Sequence, residues 1–322
     1  MQRSLVGSEM CIRDRLNIIL CYDEPVKRKL QKRPVSFPKK SCKTENSWDR
    51  EGMLSMELLE NYRLVDLTVP IKTPNSEEMD PKLATSLAAE IEYLDHEDTI
   101  PLVSGYFGCR PEDLHGGCGW ATERVRTSTH AGTHVDAPWH YAPASGGKPS
   151  RRIDECPLEW YFGRGVVLNM THKKSGETVS AQDVKDALAA LDYTLSYGDI
   201  VCIRYDTDKT FGTAAYWGEH PGLSAEAVRF ILDQGVKVIG VDSPGFDIPF
   251  AKTKAKFADS HDNSILWEAH CAGIDYDYSH IEKLGNLDKV PEKGFYISCF
   301  PVNLYQGSAS WSRVVAFVPK DQ

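Results

Sequence analysis

Nowhere in the 322 residues does an apolar run approach the eighteen or so residues that a membrane-spanning helix requires, which excludes a helical membrane protein. There is no C-x-x-C pair. The nine cysteines are odd in number and scattered, so a disulfide framework is excluded and they read as reduced thiols of a cytoplasmic environment. Cationic excess is missing as well: the net charge of −9 argues against nucleic acid as a partner, because neutralising phosphates takes clustered cations. No internal repeat is visible. What is present is a chain with 41% apolar residues, long enough to bury a sizeable core.

Charge is unevenly spread. Residues 1–52 hold twelve Lys or Arg against seven Asp or Glu, while the remainder holds 25 against 39. The run Leu16-Asn-Ile-Ile-Leu20 is too short and too polar for a secretory core, although basic leaders also serve organelle import. Met1 to Arg15 resembles translated sequencing-adapter read-through, and Lys27 to Lys43, with Pro34 and Pro38, lacks hydrophobic periodicity. The sequence therefore predicts a disordered basic leader over 1–52, with 1–15 an artefact and Met53 or Met56 the native start. A single domain over 53–322 follows.

The densest chemistry lies in His130-Ala-Gly-Thr-His134-Val-Asp136-Ala-Pro-Trp-His140, three imidazoles and a carboxylate in one short segment. Gly132 and Pro138 forbid a continuous helix, so an extended or looped backbone is expected, in which residues 134, 136 and 140 share a parity and Gly132 bends His130 toward them. Neutral imidazole nitrogens with a carboxylate oxygen suit zinc, manganese or ferrous iron, and no nearby cysteine favours a closed thiolate site. A lone histidine is usually a surface or satisfied core residue; this grouping reads as a metal site with an open coordination position. A cupin-like oxygenase is disfavoured, since its His-x-His followed by a nearby Glu is absent.

Around the motif, short β-rich runs alternate with helical stretches. Leu64 to Val69 reads as a strand ended by Pro70, Pro81 to Leu94 as a possible helix, Gly105 to Gly119 as a loop, and Glu123 to Ser128 as a strand. Gly165 to Met170, Ile200 to Arg204 and Val236 to Val241 read as strands. Ser180 and Ser224 each cap a helix, the second ended by Gly235. Asp242 stands at a strand end, where either a turn-capping or a functional role fits. This alternation predicts an α/β domain with a mixed sheet and flanking helices.

The motif His-x-Gly-Thr-His-x-Asp-x-Pro-x-His resembles the signature of the metal-dependent cyclase family, of bacterial kynurenine formamidase and isatin hydrolase type. Gly235 to Pro244, Ile281 to Leu287, Pro301 to Gly307 and Ser312 to Phe317 are similar to family blocks in the same order, so the resemblance runs from about Tyr62 to Pro319. It implies the swivelling β/β/α fold, His130, His134 and Asp136 as ligands of a first metal, and His140 as the catalytic acid/base. It also implies His270 and Glu282 as ligands of a second ion that Asp136 bridges; His261, Asp275, Asp277 and His280 compete for that duty. At Gly245 the chain departs from isatin-type relatives, which carry serine there.

The function implied is hydrolysis of a C–N amide bond by hydroxide generated on one or two zinc or manganese ions, with N-formylkynurenine as type substrate. An isatin-like cyclic amide is the alternative, and a non-catalytic metal-containing binding protein is the reading from another class. His140 favours catalysis, as it lies beyond the ligand triad and after Pro138, where it can shuttle a proton to the leaving nitrogen; a third imidazole ligand is its other reading. Trp139, held between Pro138 and His140, is expected to pack against an aromatic substrate. The expected partners are a small-molecule substrate and further copies of the chain, with neither nucleic acid nor membrane.

Overall fold

A nine-stranded mixed sheet organises the chain. Its strands are β1 (Tyr62–Asp66), β2 (His134–Asp136), β3 (Phe162–Asn169), β4 (Asp199–Arg204), β5 (Val238–Val241), β6 (Ser279–Glu282), β7 (Phe295–Ser298), β8 (Ala309–Trp311) and β9 (Val315–Pro319). They lie in the order β1-β9-β7-β3-β4-β5-β6-β2-β8. Strands β3 to β6 run parallel, and every other pairing is antiparallel. Helices follow as α1 (Ile100–Phe107), α2 (Pro138–Tyr141), α3 (Ala181–Ala190), α4 (Ala214–Gly218), α5 (Ala225–Asp233), α6 (Phe250–Ser260) and α7 (Glu268–Cys271). This computed structural model describes residues 60–75, 77–79 and 87–321; the expected leader and the proposed start lie outside them. Among the described residues no helix is long and apolar enough to cross a membrane.

The central strands read as unbroken apolar runs because both of their faces are covered. Side chains alternate across the sheet, so Val166, Leu168, Val201, Ile203, Ile239 and Val241 enter one core while Val167, Ile200, Cys202 and Val238 enter the other. Helices α3 and α5 close the first core. In α5, Ala227, Val228, Ile231 and Leu232 form the buried stripe, and each of its three larger aliphatics contributes roughly 1.5–3 kcal/mol when taken from water. The expected caps are in place: Ser224 accepts from Ala227, and Ser180 exchanges hydrogen bonds with Asp183. Gly235 then ends α5 at φ 90.

Two segments differ from expectation. Of the possible helix over Pro81 to Leu94, residues 81–86 lie outside the described ones, and Glu90–Leu94 is a strand paired with Thr122–Arg126. Its Glu-Ile-Glu-Tyr alternation has period two, and the register sets Glu90 beside Arg126 and Glu92 beside Arg124. The expected loop Gly105 to Gly119 begins inside α1, which has Pro101 in its first turn and a left-handed Gly108 as its stop.

Asp242 ends β5 fully buried, its carboxylate accepting the N–H groups of Tyr205 and Asp206 at 3.0 and 2.9 Å. It ties the ends of β4 and β5 together. Burial, with Asp208 and Asp206 nearby, pushes its carboxyl up to about 8 against the pull of those N–H groups. An unfolded-state value of about 3.9 places the stability of the neutral form in full below that pH, and it drains away as pH rises through about 8. Asp242→Asn keeps an acceptor but cannot ionise, so its unfolding free energy should gain on the wild type by roughly 1–4 kcal/mol between pH 5 and 9. Urea unfolding across that range reads the difference, and a gap independent of pH would contradict it.

Candidate metal centre

Strand β2 delivers the motif into the sheet between β6 and β8. Antiparallel register places His134 opposite Glu282 and Asp136 opposite His280, so four ligand-type side chains share one face of two neighbouring strands. Gly132 makes the approach at φ 60, where a Cβ would meet Ile71 Cγ1 at 2.6 Å. Thr133 locks the turn: its hydroxyl accepts from Val69 N–H at 2.8 Å and donates to the carbonyl of Lys283.

Asp136 is fully buried and sits at the centre of the cluster. Its Oδ1 is 2.9 Å from His130 Nδ1 and 3.2 Å from His134 Nε2, and its Oδ2 is 2.7 Å from His280 Nε2. Glu282 lies 3.5 Å from His134 Nε2 through Oε2 and 3.4 Å from His270 Nε2 through Oε1. Potential ligand atoms converge in two groups that share Asp136: His130, His134 and Asp136, and Asp136, His270, His280 and Glu282. The expected ligands of both sites are thus brought together. His261 is not among them, since it ends α6 as an exposed left-handed residue.

His280 joins the second group, and the Ser-His-Ile-Glu alternation of β6 is the signal that puts it on the face of Glu282. Asp247 is the residue that the sequence leaves unmarked. One of its carboxylate oxygens accepts from Ala269 N–H at 2.8 Å and the other bonds His270 Nδ1, which fixes the ring with Nε2 toward Glu282. His134 is oriented in the same way, Nδ1 donating to the Gly132 carbonyl at 2.9 Å.

Electrostatics follow from this crowding. Burial works against the charged form of Asp136, but His134, His140 and His130 hold its carboxyl well below the ordinary range. Burial also opposes ionisation of Glu282, and Lys283 with His270 overcomes it. Burial would lower His270, yet Asp247 and Glu282 push it up to about 10. Two buried atoms of this cluster, His134 Nε2 and Asp136 Oδ1, have no well-aligned hydrogen-bond partner among the described residues, although they stand 3.2 Å apart. An orphaned nitrogen and an orphaned carboxylate oxygen facing each other make the donor set for a divalent cation, so the residues fit a metal.

His140 departs from its expected route. Strand geometry ends at Asp136, and Pro138 starts the short helix α2, which turns His140 back over the cluster. Its Nε2 is 3.9 Å from Asp136 Oδ2, its ring lies 4.1 Å from that of His130, and burial pulls it down to about 4 with Asp136 opposing. An apolar cavity opens above, walled by Trp217, Trp267, Pro244 and Ile248. Trp139 is not on that wall: α2 carries it to the outer side, where Arg152 lies 4.7 Å over its ring. Trp267 takes the expected place instead, stacked 4.5 Å from His270.

The family model "Putative cyclase" matches residues 65–248, more than half of the sequence, and includes the whole histidine motif. The chain belongs to this Cyclase family. It is 30% identical over 192 residues to a kynurenine formamidase of Erythrobacter litoralis, a match covering 60% of this chain and 74% of the relative. It is 26% identical over 208 residues to an isatin hydrolase of Roseibium aggregatum, covering 59% and 72%. Among solved structures, an isatin hydrolase bound to the product analogue thioisatinate shares the fold with a TM-score of 0.65 at 22% identity, over 85% of this chain and all of that one. Isatin hydrolase A of Ralstonia solanacearum gives 0.65 at 20% identity, over 87% and 100%.

If these side chains hold metal, Asp136→Asn should abolish stoichiometric binding, and Asp247→Asn should weaken affinity about 10–100-fold by freeing the His270 ring. His261→Ala should change nothing. Elemental analysis after dialysis against zinc or manganese, with chelator competition for affinity, checks all three; full metal in Asp136→Asn would refute the assignment.

Proposed function

We propose that this chain is a metal-dependent amidohydrolase of arylformamidase type, which converts N-formylkynurenine to kynurenine and formate, with residues 53–322 as its catalytic domain. One observation supports the reading: the paired atoms of His134 and Asp136 belong to a cluster whose members His130, His270 and Glu282 line an open apolar cavity. His130, His134 and Asp136 would hold one ion, and Asp136, His270 and Glu282, with His280 beside them, a second. A divalent ion so bound lowers the pKa of water toward neutrality and polarises the amide carbonyl.

The other tasks fall to the chain. Trp217, Trp267 and Ile248 exclude bulk water and offer faces to an aryl group, which strengthens electrostatic effects on the developing oxyanion. His140 lines the cavity without a hydrogen-bond partner within reach among the described residues, so its Nε2 is free to take a proton from the attacking water and return it to the leaving nitrogen. Water adds to the carbonyl carbon, the C–N bond breaks, and that proton leaves with the amine.

An isatin-type cyclic amide is the second reading, favoured by the shared fold. Gly245 weighs against it: the cavity wall is bare there, and a Cβ would stand 3.6 Å from Glu282 Oε1 where isatin-type relatives are expected to carry serine.

Hydrolysis of N-formylkynurenine and of isatin by the full chain, measured after exhaustive chelation and again with zinc or manganese restored, tests the assignment. Turnover should vanish and return, and activity that survives chelation would remove the metal mechanism. His140→Ala should lower kcat by about 100-fold or more with metal content intact. Loss of metal in that variant would instead make His140 a ligand.

A further inference from the structure

Lys283 follows Glu282 at the end of β6 and combines two costly features. Its backbone is left-handed, at φ 62, a conformation that disfavours any residue bearing a Cβ. Its side chain is only 3% exposed, although it carries an ammonium group. The strained backbone is held from both sides, Lys283 N–H donating to the Ser243 carbonyl at 3.0 Å and its own carbonyl accepting the Thr133 hydroxyl. Thr133 belongs to the histidine motif, so the ammonium is fixed relative to the ligand cluster. Strain held in place in this way beside a site points to a use for it.

The ammonium is short of anions. Nζ lies 3.4 Å from Glu282 Oε2 and 5.9 Å from the centre of the Trp217 ring. Among the described residues no other carboxylate comes within 4.0 Å of it. That single partner is committed elsewhere, because Glu282 also faces His134 and His270. Among the described residues Lys283 is moreover the one lysine or arginine on the cavity wall. His220, also on the wall, donates its Nδ1 proton to the Pro221 carbonyl at 2.8 Å, which leaves Nε2 of the neutral ring as an acceptor unable to bind an anion.

We propose that Lys283 receives a carboxylate of the substrate, so that the site prefers aryl amides bearing an acid group over neutral ones. This rests on the amide-hydrolase reading and names its substrate class. The apolar walls strengthen the pairing, and one carboxylate's width separates the ammonium from the ligand cluster, which places the acid group close to the scissile amide.

Two readouts on the metal-loaded full chain test this. In the first, kcat/KM for N-formylanthranilate is divided by that for formanilide; the wild-type ratio should fall about 10–100-fold in Lys283→Gln and persist in Lys283→Arg. In the second, calorimetric titration compares benzoate with benzamide, and Lys283→Gln should lose benzoate affinity by at least about tenfold with metal content unchanged. Lys283→Gly, which relieves the left-handed backbone, serves as a second charge-free variant should Lys283→Gln fold poorly. Either readout left unchanged by removal of the charge overturns the proposal. Should the wild type cleave neither amide, the N-formylkynurenine assay decides the hydrolase reading and the benzoate titration alone decides the role of Lys283.

Discussion

One carboxylate, that of Asp136, carries the arrangement. Fully buried, it faces the rings of His130, His134, His140 and His280, and no water reaches it to share the charge. A buried anion is tolerated only when cations or donors surround it, and here the surrounding groups arrive from two stretches of chain far apart in sequence. The strand that carries Asp136 must lie inside the sheet rather than at its rim, so that β6 can present His280 and Glu282 from one side while β8 shields the other. The bend at Gly132, the Thr133 anchor and the turn at Pro138 then follow as the means of bringing His130 and His140 to the two oxygens of one carboxylate.

How much of this is legible in the sequence depends on the reach of each interaction. Strands β3, β4 and β5 announce themselves as β-branched runs, and Ser180 and Ser224 mark helix starts, because these signals act within a few residues. The proximity of His130, His134 and Asp136 is local for the same reason. The rest is set by pairing across long separations: the partnership of His280 with Asp136 depends on the register of strands 144 residues apart, and Asp247 matters only because α7 folds back onto it. Parity along an extended chain brings His140 to the site on paper, whereas the fold uses a helical turn to reach the same end. Trp139 is misplaced by the same error, since one step along α2 turns it outward while Trp267, remote in sequence, fills the wall. Residues 105–108 conceal a helix terminus because two glycines three residues apart outweigh the apolar stretch before them.

The cavity joins two kinds of chemistry. Its floor is a polar cluster whose charges nearly all answer one another, and its walls are aromatic and aliphatic side chains that hold water away. Such a division suits a substrate with one flat apolar portion and one reactive polar bond. Lys283 breaks the pattern, as an ammonium set among apolar walls and next to the floor.

The donors around Asp136 come from β2, β6 and α7, elements whose backbones touch only through sheet pairing and a few side chains. A cation shared among them would act as a rivet: it would close a chain loop well over a hundred residues long, and every ion bound would penalise the open chain relative to the folded one. Thermal resistance and metal supply would then be a single property, and scarcity of the ion in its surroundings would be felt as shortened survival of the protein before it was felt as lost turnover.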